Sequence, residues 1–322
     1  MTTLDVSVVI ATRDRWPTLS RSGLPSALSQ RDVEFEVVVV DDGSTDETRA
    51  RLADFEDERI RVVRNEIPLR LPGARNAGIE MARGEWLAFL DDDDLWSPRK
   101  LRAQLDAAAG TDALWVYGAA VVVDEHRNVL EADPFPAPQD LPVLLLQGNW
   151  IPGGGSNVIA RSEVVRRAGV FDEQLRFFED WDLWLRLLDA GGLPAACDEV
   201  VMARVEHRQN MVVRDHSEVM PAFERVLGKH KTVTRDDRLS VAQWLANEQY
   251  RAGKRGRAAA LYLRTALAYR SAGNLPAALG APFGDRGMRL ASKLLVAIRG
   301  ASHLETAAAT IPSRPHWLEP YR

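Results

Sequence analysis

The sequence predicts an α/β fold in which a Rossmann-like, mostly parallel sheet carries helices on both faces, with a C-terminal helical module behind it. Short β-branched runs alternate with helix-period stretches from the start of the chain, and two of those runs end in aspartates, at Asp41-Asp42 and at Asp91 to Asp94. Past residue 215 only helical patterns occur. Open sheets of this kind bind ligands outside the carboxyl ends of their strands, so the acids mark a candidate site.

Val6 to Ala11 reads as the first strand, Thr12-Arg13-Asp14-Arg15 leaves it as a polar loop, and Pro17 to Gln30 is helical. The second strand, Glu36 to Val40, runs into Asp41-Asp42-Gly43-Ser44-Thr45-Asp46-Glu47. There Ser44 and Glu47 have capping-box spacing and predict a helix that buries Leu52 and Phe55. Ile60 to Val63 is the third strand. Gly73 to Arg83 is a helix closed by Gly84, and it feeds Trp86-Leu87-Ala88-Phe89-Leu90, an apolar run that reads as a buried strand. A helix begins at Ser97-Pro98, Leu114 to Val123 is a further strand, and the proline-rich stretch Pro134 to Pro142 is a loop. Trp181, Trp184, Leu185 and Leu188 make one apolar helix face, with Gly191 as its stop.

Length and composition suit an enzyme. At 322 residues and 46% hydrophobic content the chain can fill one large core and a small one, and a net charge of −5 argues against a general nucleic-acid binder. Five lysines among 41 basic residues give the arginine bias of a high-GC bacterial source. The single cysteine, Cys197, excludes an internal disulfide and a cysteine-based zinc site, which fits a reducing compartment. Met1 to Asp5 lacks the basic region of a signal peptide. The longest apolar segment, Ala113 to Val123, is shorter than the ~18 residues that span a bilayer, so a cytoplasmic protein is expected.

Four adjacent carboxylates repel one another unless a cation neutralises them, and hard oxygen donors suit Mg²⁺ or Mn²⁺. The alternative for Asp91 to Asp94 is a solvated acidic turn that stops the strand and caps the next helix. A second cluster, Phe177-Phe178-Glu179-Asp180-Trp181-Asp182, places three acids in the first turn of a helix. There they complement the helix dipole, by a few tenths of a kcal/mol to ~1 each. That accounts for one or two acids, but not for their place behind an aromatic pair and a Gly153-Gly154-Gly155-Ser156 loop whose backbone is permissive enough to approach a ligand closely.

Val8-Val9-Ile10-Ala11-Thr12-Arg13, Val39 to Asp46, Gly73-Ala74-Arg75-Asn76-Ala77-Gly78, Phe89 to Asp94, Gly169-Val170-Phe171-Asp172-Glu173 and Glu179 to Trp184 resemble, in this order, the motifs of inverting family 2 glycosyltransferases. The resemblance runs from about Val6 to about His207. It implies a GT-A fold over residues 1–215, with 216–322 as a separate helical region, a nucleotide-sugar donor and a divalent Mn²⁺ or Mg²⁺. A UDP-sugar is the commonest donor among similar enzymes, and hexosyl transfer is the implied reaction. Acceptors in such enzymes are saccharides, lipid carriers, small metabolites or peptides.

By the same resemblance Asp93 is the metal ligand, with Asp91 and Asp92 placing the ribose and supporting the metal; four consecutive acids leave that register open by one. Asp41 or Asp42 would hold the base and ribose, and Thr12 and Arg13 lie beside the nucleobase. Arg70 and Arg75 would contact the nucleotide, or serve structurally by bonding carboxylates near the site. His207 sits in a segment where a family histidine approaches the metal or diphosphate. Asp180 matches the catalytic base, and a helix N-terminus favours its ionised form. Glu179 and Asp182 would orient the acceptor, with Gly154, Gly155, Ser156 and Trp181 on its side of the site. Direct single displacement inverts the anomeric configuration. Two other readings stay open: a haloacid dehalogenase-like phosphatase, suggested by Asp41-Asp42-Gly43-Ser44, and a nucleotide-binding scaffold without turnover.

In the C-terminal region, Leu239 to Ala252 and Arg257 to Ala272 flank Gly253-Lys254-Arg255-Gly256 and resemble one tetratricopeptide-like hairpin, short of the about three units that make an array. Arg286 to Arg299 mixes basic and large apolar residues, which suits either a helix on a membrane surface or a solvated helix with one packed face. The expectation is a cytoplasmic protein with peripheral contact at the inner face of the membrane, or a homodimer.

Overall fold

A computed structural model describes residues 4–206, 217–271, 273–299 and 314–321. The chain divides into two compact units, Met1–Glu206 with Thr310–Arg322, and His207–Ala309. The boundary expected at 215/216 thus falls nine residues earlier, at 206/207, and residues 310–322 return to the first unit. There Leu318 is buried among Leu95, Val121, Val123, Ala203 and Val205 of the first unit, and the Trp317 indole N–H donates to the Val200 carbonyl at 3.2 Å.

The first unit is built on one nine-stranded sheet, comprising β1 (Val6–Thr12), β2 (Phe35–Asp41), β3 (Ile60–Arg64), β4 (Trp86–Asp91), β5 (Leu95–Trp96), β6 (Trp115–Val123), β7 (Val129–Ala132), β8 (Ile159–Arg161) and β9 (Ala195–Val205). Its order is β3-β2-β1-β4-β8-β6-β9-β5, with β7 beside β6. The predicted parallel half is present: β3, β2, β1 and β4 run the same way. Val8, Val9, Ile10 and Val37 to Val40 are completely buried, as befits strands covered on both faces. Beyond β4 the sheet is mixed. β8 is antiparallel to both β4 and β6, β9 is parallel to β6, and β5 and β7 add antiparallel edges.

The helices adjust the expected boundaries. Pro17 to Gln30 is two short helices, α1 (Trp16–Leu19) and α2 (Gly23–Leu28), because the chain turns between them to bring the Gly23 N–H onto the Asp92 carbonyl at 3.2 Å. Ser44 does not cap a helix. Its hydroxyl accepts from the Asp14 N–H at 2.9 Å, and α3 (Thr48–Ala53) starts later, with Asp46 accepting from the Thr48 N–H at 2.9 Å. Leu52 is buried as expected, whereas Phe55 is exposed and lies edge-on to Trp16. The next helix, α4 (Arg70–Met81), crosses β1 and β2, and α5 (Lys100–Ala108) packs on β6 and β9. The Pro134 to Pro142 region contains the start of a short helix, α6 (Leu141–Leu144), and α7 (Ser162–Arg167) follows β8. In α8 (Glu179–Gly191) burial extends past the predicted face to Asp182, Leu183 and Leu187, so it is an interior helix; Trp184 stacks on Trp115 of β6 at 6.4 Å.

The second unit contains α9 (Val219–Gly228), α10 (Arg235–Arg251), α11 (Arg255–Ala268), α12 (Asn274–Gly280) and α13 (Gly284–Arg299). Thr234 and Asp237 form a capping box at the start of α10. The expected hairpin corresponds to α10 packed on α11, and α12 closes their small core through Ala246, Ala258, Tyr262 and Ala277.

Gly78 fixes how closely α4 lies on the sheet, since a Cβ there would stand 2.4 Å from Val9 Cγ1 and 3.2 Å from Val40 Cγ2. Gly78→Ala is expected to cost about 1–3 kcal/mol by overpacking, read as a lower denaturant midpoint at unchanged slope.

Candidate active site

The strand register brings the candidate residues to one sheet edge. Thr12 pairs with Asp41 across β1 and β2, and Ala11 with Asp91 across β1 and β4, so three adjacent parallel strands end level with one another. The turn after β4 then alternates. Asp92 is buried and accepts from the Thr12 hydroxyl at 2.7 Å; Asp94 is buried and accepts from the Ser156 hydroxyl at 2.6 Å and the Val205 N–H at 3.0 Å. Asp91 and Asp93 keep side chains 38% and 19% exposed. Two of the four acids thus hold the turn, and two remain accessible at its surface.

Arg75 connects this turn to the second acidic cluster. Its guanidinium is buried, donates to Asp91 Oδ1 at 2.5 Å and to Glu179 Oε1 at 2.9 Å, and lies 5.2 Å from the centre of the Phe171 ring. Beside Glu179, at the start of α8, Asp180 accepts from the Asn149 side-chain amide at 2.9 Å through Oδ2 and from the Trp181 N–H at 2.7 Å through Oδ1. The glycine loop is fitted to these groups. A Cβ on Gly155 would meet the Arg75 guanidinium at 2.9 Å, and one on Gly154, at φ +56°, would meet Asp180 Oδ2 at 3.1 Å.

Burial raises the pKa of these carboxyls. It pushes Asp92 to about 7 against the opposing pull of Arg15, and lifts Asp94 well above the carboxylate range, with Asp93 and Asp91 adding repulsion. Glu179 is likewise raised to about 7, with Arg75 opposing and Asp180 reinforcing, and Asp180 is raised by burial, again with Arg75 opposing. Burial opposes the charged form of Arg75, and Asp91, Glu179 and Asp180 more than offset it.

Not every predicted site residue faces the site. Ser156, Trp181 and Asp182, expected on the acceptor side, are buried. Ser156 braces the acid turn, the Trp181 indole donates to the Leu145 carbonyl at 2.8 Å, and Asp182 receives Arg186 Nε at 2.9 Å. Asp41 pairs with Arg64 and accepts from the Ser44 N–H, while Asp42 accepts from Asn65, Leu69 N–H and Arg70 N–H and so organises the start of α4. Arg70 has an exposed side chain. Arg13 is exposed and 3.6 Å from Asp14; it is Arg15, not singled out in the sequence, that reaches Asp92 at 3.2 Å and Asp93 at 2.7 Å. The only sequence signal for it was its place two residues on in the same charged loop. Asn149 had none. His207 lies outside the described residues, among which no three His, Cys, Asp or Glu side chains converge as a metal-binding group.

Solved structures share this architecture. Staphylococcus aureus TarS 1-349 superposes with a TM-score of 0.59 at 18% identity, covering 92% of this chain and 83% of that one. The mannosyltransferase PcManGT from Pyrobaculum calidifontis, in complex with GDP-Man and Mn²⁺, gives 0.55 at 18% identity, covering 92% and 87%. The sheet is that of the GT-A glycosyltransferases. Residues 7–167 match Glycosyl transferase family 2, and the chain belongs to that family. The succinoglycan biosynthesis protein ExoO of Rhizobium meliloti is 32% identical over 319 residues, covering 90% of this chain and 86% of that protein. The UDP-Glc:alpha-D-GlcNAc-diphosphoundecaprenol beta-1,3-glucosyltransferase WfgD of Escherichia coli is 30% identical over 190 residues, 59% of this chain and 72% of that protein. The protein is therefore a glycosyltransferase, and the phosphatase reading falls.

Removing Arg75 leaves Glu179 buried without its cation. Arg75→Met is expected to destabilise the protein by about 3–5 kcal/mol above neutral pH. Glu179 has a raised pKa that rises further without Arg75, and a protonated Glu179 needs no cation. The cost should therefore shrink as pH falls toward 7 and level off below it, where Glu179 is protonated with or without Arg75, measured by denaturant unfolding across pH.

Proposed function

We propose that the chain transfers a hexose, with inversion, from a UDP-sugar to the hydroxyl of a lipid-linked saccharide. The observation that supports this best is the Asp91–Arg75–Glu179 bridge, which holds Asp180 at the edge where the Asp91 to Asp94 turn would receive the donor. The acceptor class follows from WfgD, whose name gives a UDP-glucose donor and a diphosphoundecaprenol-linked acceptor. A carrier of that kind sits in a membrane, and no helix among the described residues is long and apolar enough to cross one. Peripheral association at the membrane surface, on the cytoplasmic side where nucleotide sugars are made, completes the reading.

Asp180 acts as general base. As the acceptor oxygen attacks the anomeric carbon, its proton passes to Asp180 and the bond between that carbon and the diphosphate oxygen breaks. Attack from the face opposite the leaving diphosphate turns an α-linked donor into a β-linked product, the linkage that WfgD's name carries. Asn149 and the helix N–H of Trp181 fix the direction of the accepting oxygens. The raised pKa of Asp180 makes it a stronger base than a solvated carboxylate, provided the pH is high enough to ionise it. Arg75 keeps it ionisable by opposing the effect of burial.

Asp93 and Asp91, the accessible pair of the turn, fit a hard divalent cation, which takes one or two carboxylates and completes its shell with water and phosphate oxygens. Bound there, Mn²⁺ or Mg²⁺ would neutralise the charge of the departing diphosphate. Thr12 and the exposed Arg13 lie along the same edge and would take the base and ribose end of the donor, Asp41 and Asp42 shaping that end from beneath through Arg64, Asn65 and the start of α4, with Arg15 beside the acid turn.

Asp93→Asn is expected to abolish most Mn²⁺-dependent UDP binding in calorimetry while leaving the melting transition in place. Unchanged metal-dependent binding in this variant and in Asp91→Asn would remove the metal assignment. Asp180→Asn should retain donor affinity and lose roughly 10² to 10⁴ in transfer rate. Near wild-type transfer by Asp180→Asn would dismiss it as base. In the intact enzyme kcat should rise with pH along a limb displaced upward from the ordinary aspartate value of 3.8.

A further inference from the structure

The second unit combines a strong charge bias with exposed apolar side chains. Between Arg251 and Arg299 the chain places ten basic residues against one acid, Asp285, within a protein whose net charge is −5. Along the same stretch Leu267, Leu279, Phe283 and Leu290 are 69%, 73%, 76% and 69% exposed. Leu263 and Leu275, also exposed, precede Leu267 and Leu279 by one turn, so α11 and α12 each present an apolar pair on one face. On α13, Arg286 and Lys293 stand four and three residues from Leu290, with Arg289 next to it, all exposed, so cationic and apolar groups share a face. α11 packs on α12, α12 on α13, and the Ala281–Phe283 turn against all three, which makes them one helical layer.

We propose that this layer is a docking surface for an anionic phospholipid membrane, with the leucines and Phe283 at the acyl boundary and the arginines and lysine at the lipid phosphates. Charge selects the occupant. A second copy seated on the same face would oppose two surfaces of the same positive sign, which costs rather than gains free energy. An anionic bilayer satisfies the cations and the apolar side chains together. This deepens the membrane-bound acceptor reading above and rests on it for its purpose, but the docking itself requires no sugar transfer.

Flotation of the full chain with phosphatidylglycerol/phosphatidylcholine vesicles, and with phosphatidylcholine alone, tests it. The expected result is binding to the anionic vesicles that weakens with added salt, and at least tenfold weaker binding to the neutral ones. The triple variant Arg286→Glu, Arg289→Glu, Lys293→Glu should lose at least tenfold, given about fivefold per basic residue at such a surface. Phe283→Ser with Leu279→Ser should weaken binding at every salt concentration. Circular dichroism and UDP calorimetry on the same variants should match wild type, which separates docking from folding and from the donor site. Vesicle binding by a chain that turns over no UDP-sugar would sustain the docking surface and defeat the catalytic reading instead. Equal binding to neutral vesicles, full binding by the charge-reversed variant, or a dimer in sedimentation equilibrium that Phe283→Ser abolishes without any vesicle binding would each overturn the proposal.

Discussion

The buried guanidinium of Arg75 is the interaction on which the site depends. It joins Asp91, at the end of a sheet strand, to Glu179, at the start of a helix 104 residues beyond Arg75 itself, and it is enclosed by Phe171 and the glycine loop. A charge removed from water to this extent is tolerable only if hydrogen-bonded carboxylates surround it. The carboxylates in turn are tolerable only because of the arginine. Neither end of the bridge can move without leaving a buried charge unpaired, so the acid turn and the helix that carries Asp180 are held in a single geometry.

A similar reciprocity governs the turn itself. Four acids in succession would be unstable as a uniformly charged loop, and the structure divides them into two kinds. Asp92 and Asp94 point inward, where burial raises their pKa and Thr12, Ser156 and the Val205 N–H satisfy their oxygens. Asp91 and Asp93 stay partly exposed, and each meets a guanidinium, Arg75 and Arg15. The repulsion that made the run conspicuous is thereby reduced.

The parallel half of the sheet was legible because its strands are buried on both faces and so are written as unbroken β-branched runs. The mixed half was not. β8 is three residues long, and β9 contains Asp198 and Glu199 and pairs with β6 through register shifts opposite Gly118 to Ala120, so neither shows a clear periodicity. The two acidic clusters were equally plain in the sequence, but which oxygens face outward was not. That depends on partners such as Ser156 and Val205, far away along the chain. Arg13 and Arg15 stand two apart in a loop, where alternation gives no rule for which of them turns toward the acids. The sequence places Asp182 among the acids of a first helical turn, with Trp181 on the apolar face behind it; α8 is interior, and a helix enclosed on most sides has no outward face to read.

The return of Leu318 to the first unit makes the helical unit an insertion rather than an appendage. The polypeptide leaves the sheet after β9 and comes back to cover β5, β6 and β9 with the turn that carries Trp317 and Leu318. Removing residues 314–321 would therefore open the hydrophobic interior of the catalytic unit without taking away a helix of the other.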